Sequence, residues 1–176
     1  SSGIGREIAL GLARRDATVY MVCRDAGRGS SAQQYIRQQS GNPDIHVLLA
    51  DLSAQKQVRA LAEDFTRQHG RLHLLVNNAG VIMGRRVLTE DGIEMTFAVN
   101  YIACFLLTNL LLGALREGAP SKVVNLTTSL HRMVGLDFDN LQGEKAYRRD
   151  EAYARSKLAV IIFTYELARR LEGTGI

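Results

Sequence analysis

The sequence predicts an α/β protein, a three-layer α/β/α sandwich in which a doubly wound parallel sheet lies between two layers of helices. Short apolar runs of strand length alternate with longer segments of helical periodicity along the chain. The runs are almost unbroken in apolar residues, which is typical of parallel strands covered by helices on both faces. Right-handed crossovers would connect these strands.

Each predicted element follows from this alternation. The apolar runs predict strands at TVYMVC (18–23), IHVLLA (45–50), LHLLVN (72–77) and KVVNLT (122–127). The segments of helical periodicity lie at roughly 4–15, 28–40, 54–69, 92–116 and 151–172. No linker, internal repeat or low-complexity tract interrupts the pattern, so we expect residues 1–176 to belong to a single domain.

The ends of the chain predict that part of this domain is lacking. The sequence opens on SSGIGREIALGLARR, a glycine-rich turn that leads into a helix, and it stops at LEGTGI just after a helix. A doubly wound sheet places its first strand at the centre, between the second and the fourth. We therefore expect a domain truncated at both ends, without its first strand and its C-terminal part. Central backbone groups would then stay unpaired, so the chain by itself should be poorly stable.

The composition favours a globular protein and argues against two kinds of binding. Of the 176 residues, 46% are hydrophobic and 23% are charged, which is ordinary for a folded domain. The net charge is +4, but the basic residues are scattered instead of forming one run, so no nucleic-acid partner is predicted. The four histidines lack the spacing of metal ligands, so no metal site is predicted either.

Cysteine usage and hydropathy bear on the compartment. Cys23 and Cys104 form no Cys-x-x-Cys motif, and we expect both to be reduced, packed thiols in a reducing compartment, the cytoplasm or the cytoplasmic face of an internal membrane. The apolar run FLLTNLLLGAL (105–115) is too short to span a bilayer and predicts a buried helix. A membrane anchor would have to come from residues upstream of Ser1.

The opening SSGIG is typical of a phosphate-binding turn. Gly3 and Gly5 permit a tight turn and let the start of the first helix approach a phosphate, which N–H groups and the helix dipole would bind. Small residues before a helix also serve as simple caps, and the motif alone does not decide between the two. Its position one crossover before the strand at 18–23 favours a dinucleotide site of the Rossmann type.

Arg24 predicts which dinucleotide is bound. It follows the strand at 18–23, where an acidic residue would accept hydrogen bonds from the ribose 2′-hydroxyl of NAD and an arginine would pair with the 2′-phosphate of NADP. The sequence therefore favours NADP(H). Asp25 next to it is the alternative, since it could serve the 2′-hydroxyl, and Arg6 could add positive charge.

Polar residues also follow the third and fourth predicted strands. LLVNNAG (74–80) places two asparagines and two small residues where ligands bind in such sheets, although an ordinary turn would look the same. KVVNLTTSLHR (122–132) carries three hydroxyl residues after its strand. Such a hydroxyl can donate to a carbonyl oxygen and polarise it, although hydroxyl clusters also terminate strands for structural reasons.

Tyr153 and Lys157 form the pair most typical of catalysis. They lie four residues apart in EAYARSKLAVIIF (151–163), so they project from the same face of the last predicted helix. A neighbouring ammonium ion favours the phenolate form of a tyrosine, which makes the hydroxyl usable as an acid or base near neutral pH. A lysine that also holds a ribose hydroxyl would place a nicotinamide beside the phenol.

Taken together, these motifs resemble the short-chain dehydrogenase/reductase family over essentially the whole chain. The resemblance rests on SSGIG, CRD, DLS (51–53), NNAG, VNYIACFLLTNLLL, VVNLTT and YARSK, in the family's order and spacing. TEDGIEMTFAVNYIACFLLTNLLL, DFDNLQGEKAY and FTYELARRLEGTGI further resemble its retinol dehydrogenase-like branch. That branch reduces retinaldehyde and related lipid or medium-chain aldehydes and ketones with NADPH.

The resemblance implies a role for each matching residue. Tyr153 and Lys157 match the family's YxxxK pair, and Asn100 matches the asparagine that helps hold a proton-relay water. The same three residues are implied to bind the cofactor. Further cofactor contacts are implied for the glycine turn, the residue after the strand at 18–23, the acidic motif and the NAG element. These residues are Ser2, Gly3, Ile4, Gly5, Arg24, Asp51, Leu52, Asn78, Ala79 and Gly80.

One departure from the family concerns the catalytic hydroxyl. The family has Ser-Ser where this chain has Thr127-Thr128, and gapless counting puts the catalytic hydroxyl on Thr128. A shift by one residue would give this role to Ser129 instead. Threonine keeps the hydroxyl donor and adds a methyl group, and we favour Thr128.

The resemblance implies an NADP-dependent oxidoreductase. Such an enzyme would transfer a hydride between nicotinamide and a carbonyl or alcohol substrate, namely retinaldehyde, retinol or a related lipid aldehyde or ketone. The rival is a non-catalytic NADP(H)-binding protein that regulates or binds a partner, because a fold does not guarantee chemistry. Family members commonly pair through the helices at 92–116 and 151–172, so a homodimer is a further expectation.

Overall fold

The computed structural model describes residues 3–176, and Ser2, implied to bind the cofactor, lies outside the described residues. The chain forms two compact units, Ser1–Asp51 and Leu52–Ile176. The first contains α1 (Gly3–Ala13), β1 (Val19–Cys23), α2 (Ala26–Ser40) and β2 (Ile45–Leu49). The second contains α3 (Gln55–His69), β3 (Leu74–Asn77), α4 (Met95–Phe97), α5 (Ala103–Leu110), α6 (Leu112–Glu117), β4 (Lys122–Asn125) and α7 (Arg149–Arg170). It also contains a π-helical turn (Ala98–Ile102) and two 3₁₀ helices (Ser129–Met133 and Phe138–Asn140).

In the first unit, α1 and α2 pack against a two-stranded parallel sheet. β1 and β2 pair with Val19 opposite Ile45. Gly29 lets α2 approach this sheet closely, because a Cβ atom at this position would lie 2.7 Å from the Val47 side chain. All four elements contribute to the buried core, which comprises Ala9, Leu10, Ala13, Val19, Met21, Cys23, Ala32, Ile36 and Ile45.

In the second unit, β3 and β4 form another parallel pair, with Leu74 opposite Lys122 and Asn77 opposite Asn125. α5 packs against α3 and α7, and α7 also contacts β4. One cluster of the buried core joins α5, α7 and the turn after it, through Cys104, Phe163, Leu167 and Leu171. This packing holds the helix of Tyr153 against the strand that precedes the hydroxyl residues.

The structure confirms the predicted strands, each to within two residues at either end. α1, α2, α3 and α7 likewise lie where the helical periodicity places them. The strands are hydrogen-bonded in two pairs, β1 with β2 and β3 with β4, instead of one continuous sheet.

The segment at 92–116 is helical from residue 95 onwards, as predicted, but it is not one uninterrupted α-helix. The structure divides this region into α4, the π-helical turn, α5 and α6. Glu94 caps α4 with its carboxylate. The π-helical turn contains Asn100, whose side chain bonds outside its own helix, and α5 ends at Leu110, with Leu111 between α5 and α6. Hydrophobic periodicity does not reveal such interruptions of a helix, because the apolar face continues through them.

The apolar run at 105–115 is helical as predicted but only partly buried, since Phe105 is 42% and Leu110 is 38% exposed. Within residues 3–176, none of the helices combines the length and the apolar character that crossing a membrane requires. Both cysteines are free and buried, as predicted. The described part of the chain contains no group of three or more His, Cys, Asp or Glu side chains that could hold a metal ion.

Candidate active site

Helix α7 places Tyr153 and Lys157 on one face, as their spacing predicts. Lys157 Nζ lies 6.0 Å from the centroid of the Tyr153 ring. The helix begins with Asp150 and Glu151 in its first turn, where negative charge complements the positive end of the helix dipole. A half-buried phenol and a buried ammonium group thus lie side by side near the start of the helix.

The Lys157 ammonium group is buried and has few partners. The residue is 4% exposed, and Nζ donates to the main-chain carbonyl of Leu126 at 2.9 Å. Burial lowers the pKa of Lys157, an effect that Cys104 partly offsets. An ammonium group has three N–H donors, and among the described residues the Leu126 carbonyl is the one acceptor bound to it. The remaining donors bind no described residue.

Asn100 and Gly80 lie beside this lysine. A Cβ atom at Gly80 would stand 3.6 Å from Lys157 Nζ and 3.5 Å from Asn100 Oδ1. Asn100 is 2% exposed and binds the main chain of Val81 in both directions. Its Oδ1 accepts from the Val81 N–H at 2.8 Å, and its Nδ2 donates to the Val81 carbonyl at 3.0 Å. The turn after β3 is therefore held close to Lys157.

Ser156 is a member of this site that sequence reasoning missed. It is fully buried, and its hydroxyl accepts from Asn100 Nδ2 at 2.9 Å and donates to the Tyr153 carbonyl at 2.7 Å. The available signal was its position in YARSK, since a helical serine often bonds to a carbonyl three or four residues earlier. We call Gly80, Asn100, Tyr153, Ser156 and Lys157 the lysine cluster.

A second group of polar side chains lies at the carboxyl ends of β3 and β4. Asn77 Nδ2 donates to Asn125 Oδ1 at 2.8 Å and to Thr108 Oγ1 at 3.0 Å. Asn125 Nδ2 donates to Thr164 Oγ1 at 2.8 Å, and the Cys104 thiol donates to Asn125 Oδ1 at 3.4 Å. These five residues form the strand-end cluster. The first asparagine of LLVNNAG therefore has a structural role.

The three hydroxyl residues after β4 have different surroundings. Thr127 Oγ1 donates to the main-chain carbonyl of Lys157 at 3.3 Å, which ties the strand end to α7. Thr128 is half-buried and caps the first 3₁₀ helix, where its hydroxyl accepts from the Leu130 N–H at 3.4 Å. Ser129 is exposed. Within residues 3–176, no hydrogen bond joins the Thr128 or Ser129 hydroxyl to the tyrosine or lysine of α7.

In the first unit, the predicted phosphate-binding turn opens α1. Gly3 has a φ of +61°, a left-handed conformation that favours glycine. No described atom lies within 4 Å of the place where its Cβ would stand. Ile4 is 68% exposed and Gly5 is half-buried in the same helical turn. The start of α1 therefore leaves open space at Gly3.

Arg24 and Asp25 follow β1 and have different settings. Asp25 caps α2, because its carboxylate accepts from the Arg28 N–H at 2.7 Å. Arg24 is exposed and forms no hydrogen bond or ion pair with another described residue. Arg6, expected to add positive charge, forms an ion pair with Glu7 at 3.1 Å.

The remaining predicted cofactor residues follow β2 and β3. Asp51 ends the first unit and Leu52 begins the second, and both are half-buried. Asn78 and Ala79 lead from β3 to Gly80, with the Asn78 N–H donating to the Val76 carbonyl at 3.1 Å. These positions belong to the carboxyl ends of parallel strands, where such folds bind ligands.

The whole chain matches the model of one protein family. The family model described as short chain dehydrogenase matches residues 1–176. The chain belongs to the short-chain dehydrogenase family. This membership confirms the family predicted from the combined motifs.

Curated relatives of this short-chain dehydrogenase are named retinol dehydrogenases. The chain is 48% identical over 176 residues to Retinol dehydrogenase 11 of Mus musculus, covering 100% of this chain and 56% of the relative. It is 47% identical to Retinol dehydrogenase 12 of Homo sapiens, and the match covers 100% of this chain and 56% of that relative. Retinol dehydrogenase 13 of Homo sapiens is 41% identical to the chain, and the match covers 100% of this chain and 54% of that relative. The chain spans just over half the length of these relatives.

Solved structures confirm the Rossmann-type α/β fold. An uncharacterised protein from Mycobacterium paratuberculosis matches with a TM-score of 0.86 and 34% identity, covering 99% of this chain and 60% of that one. RhlG of Pseudomonas aeruginosa, solved as an NADP active-site complex, has a TM-score of 0.78 and 28% identity, with 99% and 65% covered. A short-chain dehydrogenase from Sphingobium yanoikuyae in complex with NADPH has a TM-score of 0.78 and 25% identity, with 99% and 64% covered.

Proposed function

We propose that this short-chain dehydrogenase is an NADP-dependent oxidoreductase that interconverts a carbonyl compound and its alcohol. The substrate would be retinaldehyde, retinol or a related lipid aldehyde or ketone. The observation that carries this proposal is the convergence of Tyr153, Lys157, Asn100 and Gly80 in the lysine cluster. The names of the relatives support the substrate class, and the NADP and NADPH complexes among similar structures support the cofactor.

Tyr153 would be the group that moves the proton. In reduction, its phenol O–H donates to the substrate's carbonyl oxygen, which becomes the hydroxyl of the alcohol; in oxidation, the proton returns to the phenolate oxygen. The Lys157 ammonium group, with Nζ 6.0 Å from the ring centroid, stabilises the negative charge that develops on the phenol oxygen when the proton leaves.

Thr128 would hold the substrate's oxygen. It is half-buried, and its hydroxyl accepts a hydrogen bond from Leu130 while its own O–H donates to no described residue. An O–H donor directed at a carbonyl oxygen polarises the carbonyl group. Ser129 is exposed to water and would lose more of its hydrogen bonding to solvent on binding substrate. We therefore assign this role to Thr128.

The residues of the first unit fit the phosphates of NADP. The open space at Gly3 and the N–H groups at the start of α1, including those of Ile4 and Gly5, suit the pyrophosphate. The exposed Arg24 guanidinium group, which has no partner among the described residues, suits the 2′-phosphate. Asp51 would then bind near the adenine.

The residues of the second unit fit the rest of the cofactor. The unbonded N–H donors of Lys157 suit the hydroxyl groups of the nicotinamide ribose. Leu52, Asn78, Ala79 and Gly80 would line the adenosine and the adjoining ribose. When bound, NADPH supplies the hydride that the carbonyl carbon accepts.

The test is NADPH consumption by the full natural chain with retinaldehyde and a series of aliphatic aldehydes. Tyr153→Phe removes the proton donor, so we expect turnover to fall by about 10²- to 10⁴-fold while NADPH binding, measured by fluorescence, persists. Tyr165→Phe, on the same helix and 77% exposed, is the matched control and should turn over normally.

Two results would contradict the proposal. Substantial turnover by Tyr153→Phe would remove the tyrosine from the reaction. A folded wild-type protein that binds NADPH but reduces none of these aldehydes would favour a non-catalytic, NADP(H)-binding role.

Arg24→Asp tests the preference for NADP. An aspartate would repel the 2′-phosphate and accept hydrogen bonds from a 2′-hydroxyl, so the dissociation constant for NADPH should rise much more than that for NADH. Both constants can be measured by fluorescence titration. An unchanged ratio between them would show that Arg24 does not bind the phosphate.

A further inference from the structure

The hydroxyl of Ser156 connects Asn100 to the main chain of Tyr153. Ser156 is fully buried, so its hydroxyl exchanges no hydrogen bonds with solvent. It accepts from Asn100 Nδ2 at 2.9 Å and donates its single proton to the Tyr153 carbonyl at 2.7 Å. A serine that bonds to a carbonyl of the preceding turn sets the local geometry of its helix. The turn affected here is the one that contains both Tyr153 and Lys157.

The side chain of Asn100 is almost fully occupied by protein partners. A carboxamide NH₂ group has two donors, and those of Asn100 bind the Val81 carbonyl and the Ser156 hydroxyl. Its Oδ1 accepts from the Val81 N–H. The amide thus fixes the turn after β3 on one side and Ser156 on the other. Its N–H groups have no capacity left for a water molecule.

We propose that Ser156 is a positioning residue, through which Asn100 fixes the catalytic turn of α7 and hence the phenol of Tyr153. The inference rests on the proposed function and extends it to a residue that need not touch the substrate. A fixed phenol matters because a proton is transferred efficiently only over a well-defined distance. Asn100 would then contribute to turnover by its bond to Ser156 and not by holding a water with its side chain.

The same helix provides a matched control. Thr164, two turns beyond Ser156, donates to the Val160 carbonyl at 2.6 Å and accepts from Asn125 Nδ2 at 2.8 Å. Each hydroxyl therefore bonds to a carbonyl of its own helix and to a partly or fully buried asparagine. Removing either one leaves an amide N–H without its partner, so a purely structural effect should be similar at both sites.

The test compares Ser156→Ala with Thr164→Val in the full natural chain. Both variants should unfold at a lower temperature than the wild type. Ser156→Ala should also lower kcat by about 10- to 100-fold with an unchanged dissociation constant for NADPH, because a displaced phenol impairs proton transfer and not binding. Thr164→Val should leave kcat unchanged. A kcat of Ser156→Ala equal to that of Thr164→Val would overturn the inference.

A double-variant cycle tests the connection to Asn100. If Asn100 acts through Ser156, Asn100→Ala should lower kcat by a smaller factor in the Ser156→Ala background than in the wild type. Equal factors in the two backgrounds would show that the residues act independently, which contradicts the inference.

Ser156→Cys is a further variant that keeps a weak hydrogen-bond donor of similar size. Its kcat should lie between those of wild type and Ser156→Ala. A kcat equal to that of wild type would count against the inference.

Failure of this inference can be told apart from failure of the proposed function. A folded wild-type protein without turnover would overturn the proposed function and this inference with it. An active wild type whose kcat is unaffected by Ser156→Ala would overturn the inference alone.

Discussion

The lysine cluster and the strand-end cluster use the same pair of polar groups along one helix. In the first, Asn100 donates to Ser156, and in the second, Asn125 donates to Thr164. Both hydroxyls then donate to a carbonyl of α7. The two clusters differ in what lies next to this pair. The first borders the buried Lys157 ammonium group, whereas the second is composed of neutral side chains that bond to one another.

This difference shows how one arrangement can serve either binding or stability. A buried ammonium group with unbonded N–H donors is unfavourable for folding, but it can bind a polar ligand. Neutral amides and hydroxyls that satisfy one another hold two strand ends together and leave little for a ligand to bind. The charge of Lys157, and not the asparagine–hydroxyl pair, therefore distinguishes the cluster for which we propose a function.

The largest expected effect separates activity from stability at Lys157. Lys157→Met removes the ammonium group and keeps an unbranched apolar chain, so turnover should fall by about 10²-fold or more. The free energy of unfolding should stay the same or rise, because a desolvated charge is replaced by an apolar group. Steady-state kinetics and urea unfolding would measure the two effects. Retained turnover would refute the functional role of the lysine.

The converse effect is expected at Asn125 in the strand-end cluster. Asn125→Leu removes the acceptor of one Asn77 hydrogen bond and the amide that donates to Thr164 Oγ1 in a partly buried site, so the free energy of unfolding should fall by about 1–3 kcal/mol. Turnover per folded molecule should not change. The control is Asn109→Leu on the exposed surface of α5, which should alter neither quantity. A large loss of kcat in Asn125→Leu would show that the two clusters are not separate in function.

A smaller effect is the pH dependence contributed by Cys104, which interacts with both clusters. Burial raises the pKa of this thiol from 9.0 to about 12, an effect that Lys157 and Thr108 partly offset. A thiol whose pKa is higher in the folded state stabilises the fold fully below pH 9, and this contribution is lost as the pH rises towards 12. The difference in unfolding free energy between wild type and Cys104→Ala should therefore shrink with rising pH.

Chemical denaturation at a series of pH values between 8 and 10.5 would measure this difference. The series starts below the pKa of 9.0 that the Cys104 thiol has in the unfolded chain, and it ends below the folded pKa of about 12. The contribution of Lys157 to the free energy of unfolding changes with pH in the opposite direction. Because the pKa of Lys157 is lower in the folded state, this contribution becomes more favourable as the pH rises. A difference between wild type and Cys104→Ala that stays constant over this range would contradict the assignment to the thiol.

Most of the fold could be predicted because it depends on local patterns. Apolar runs of four to six residues locate strands, and their alternation with helices determines the fold class. The π-helical turn at Ala98–Ile102 could not be predicted in this way. It occurs where Asn100 bonds to residues outside its helix, and such long-range bonds leave no trace in the periodicity of the apolar face.

In the candidate site too, local relations between residues could be predicted from the sequence and long-range ones could not. Tyr153 and Lys157 are related by one helical turn, so their shared face follows from the spacing alone. Ser156 bonds to a side chain 56 residues earlier in the chain, and only the tertiary structure reveals this partner. Asn77 and Asn125 bond to each other because of the strand register, which the sequence does not specify. The assigned cofactor residues and the choice between Thr128 and Ser129 stay predictions.

The cap of α2 has a consequence for how this protein could change its cofactor. Asp25 binds the Arg28 N–H and thereby starts the helix, whereas its neighbour Arg24 has no described partner. Loss of the cap should lower stability by about 1 kcal/mol, but a substitution at Arg24 breaks no described hydrogen bond or ion pair. Under the proposed assignment, a single codon could alter nucleotide preference without weakening the scaffold, which makes this position a simple route for divergence or redesign.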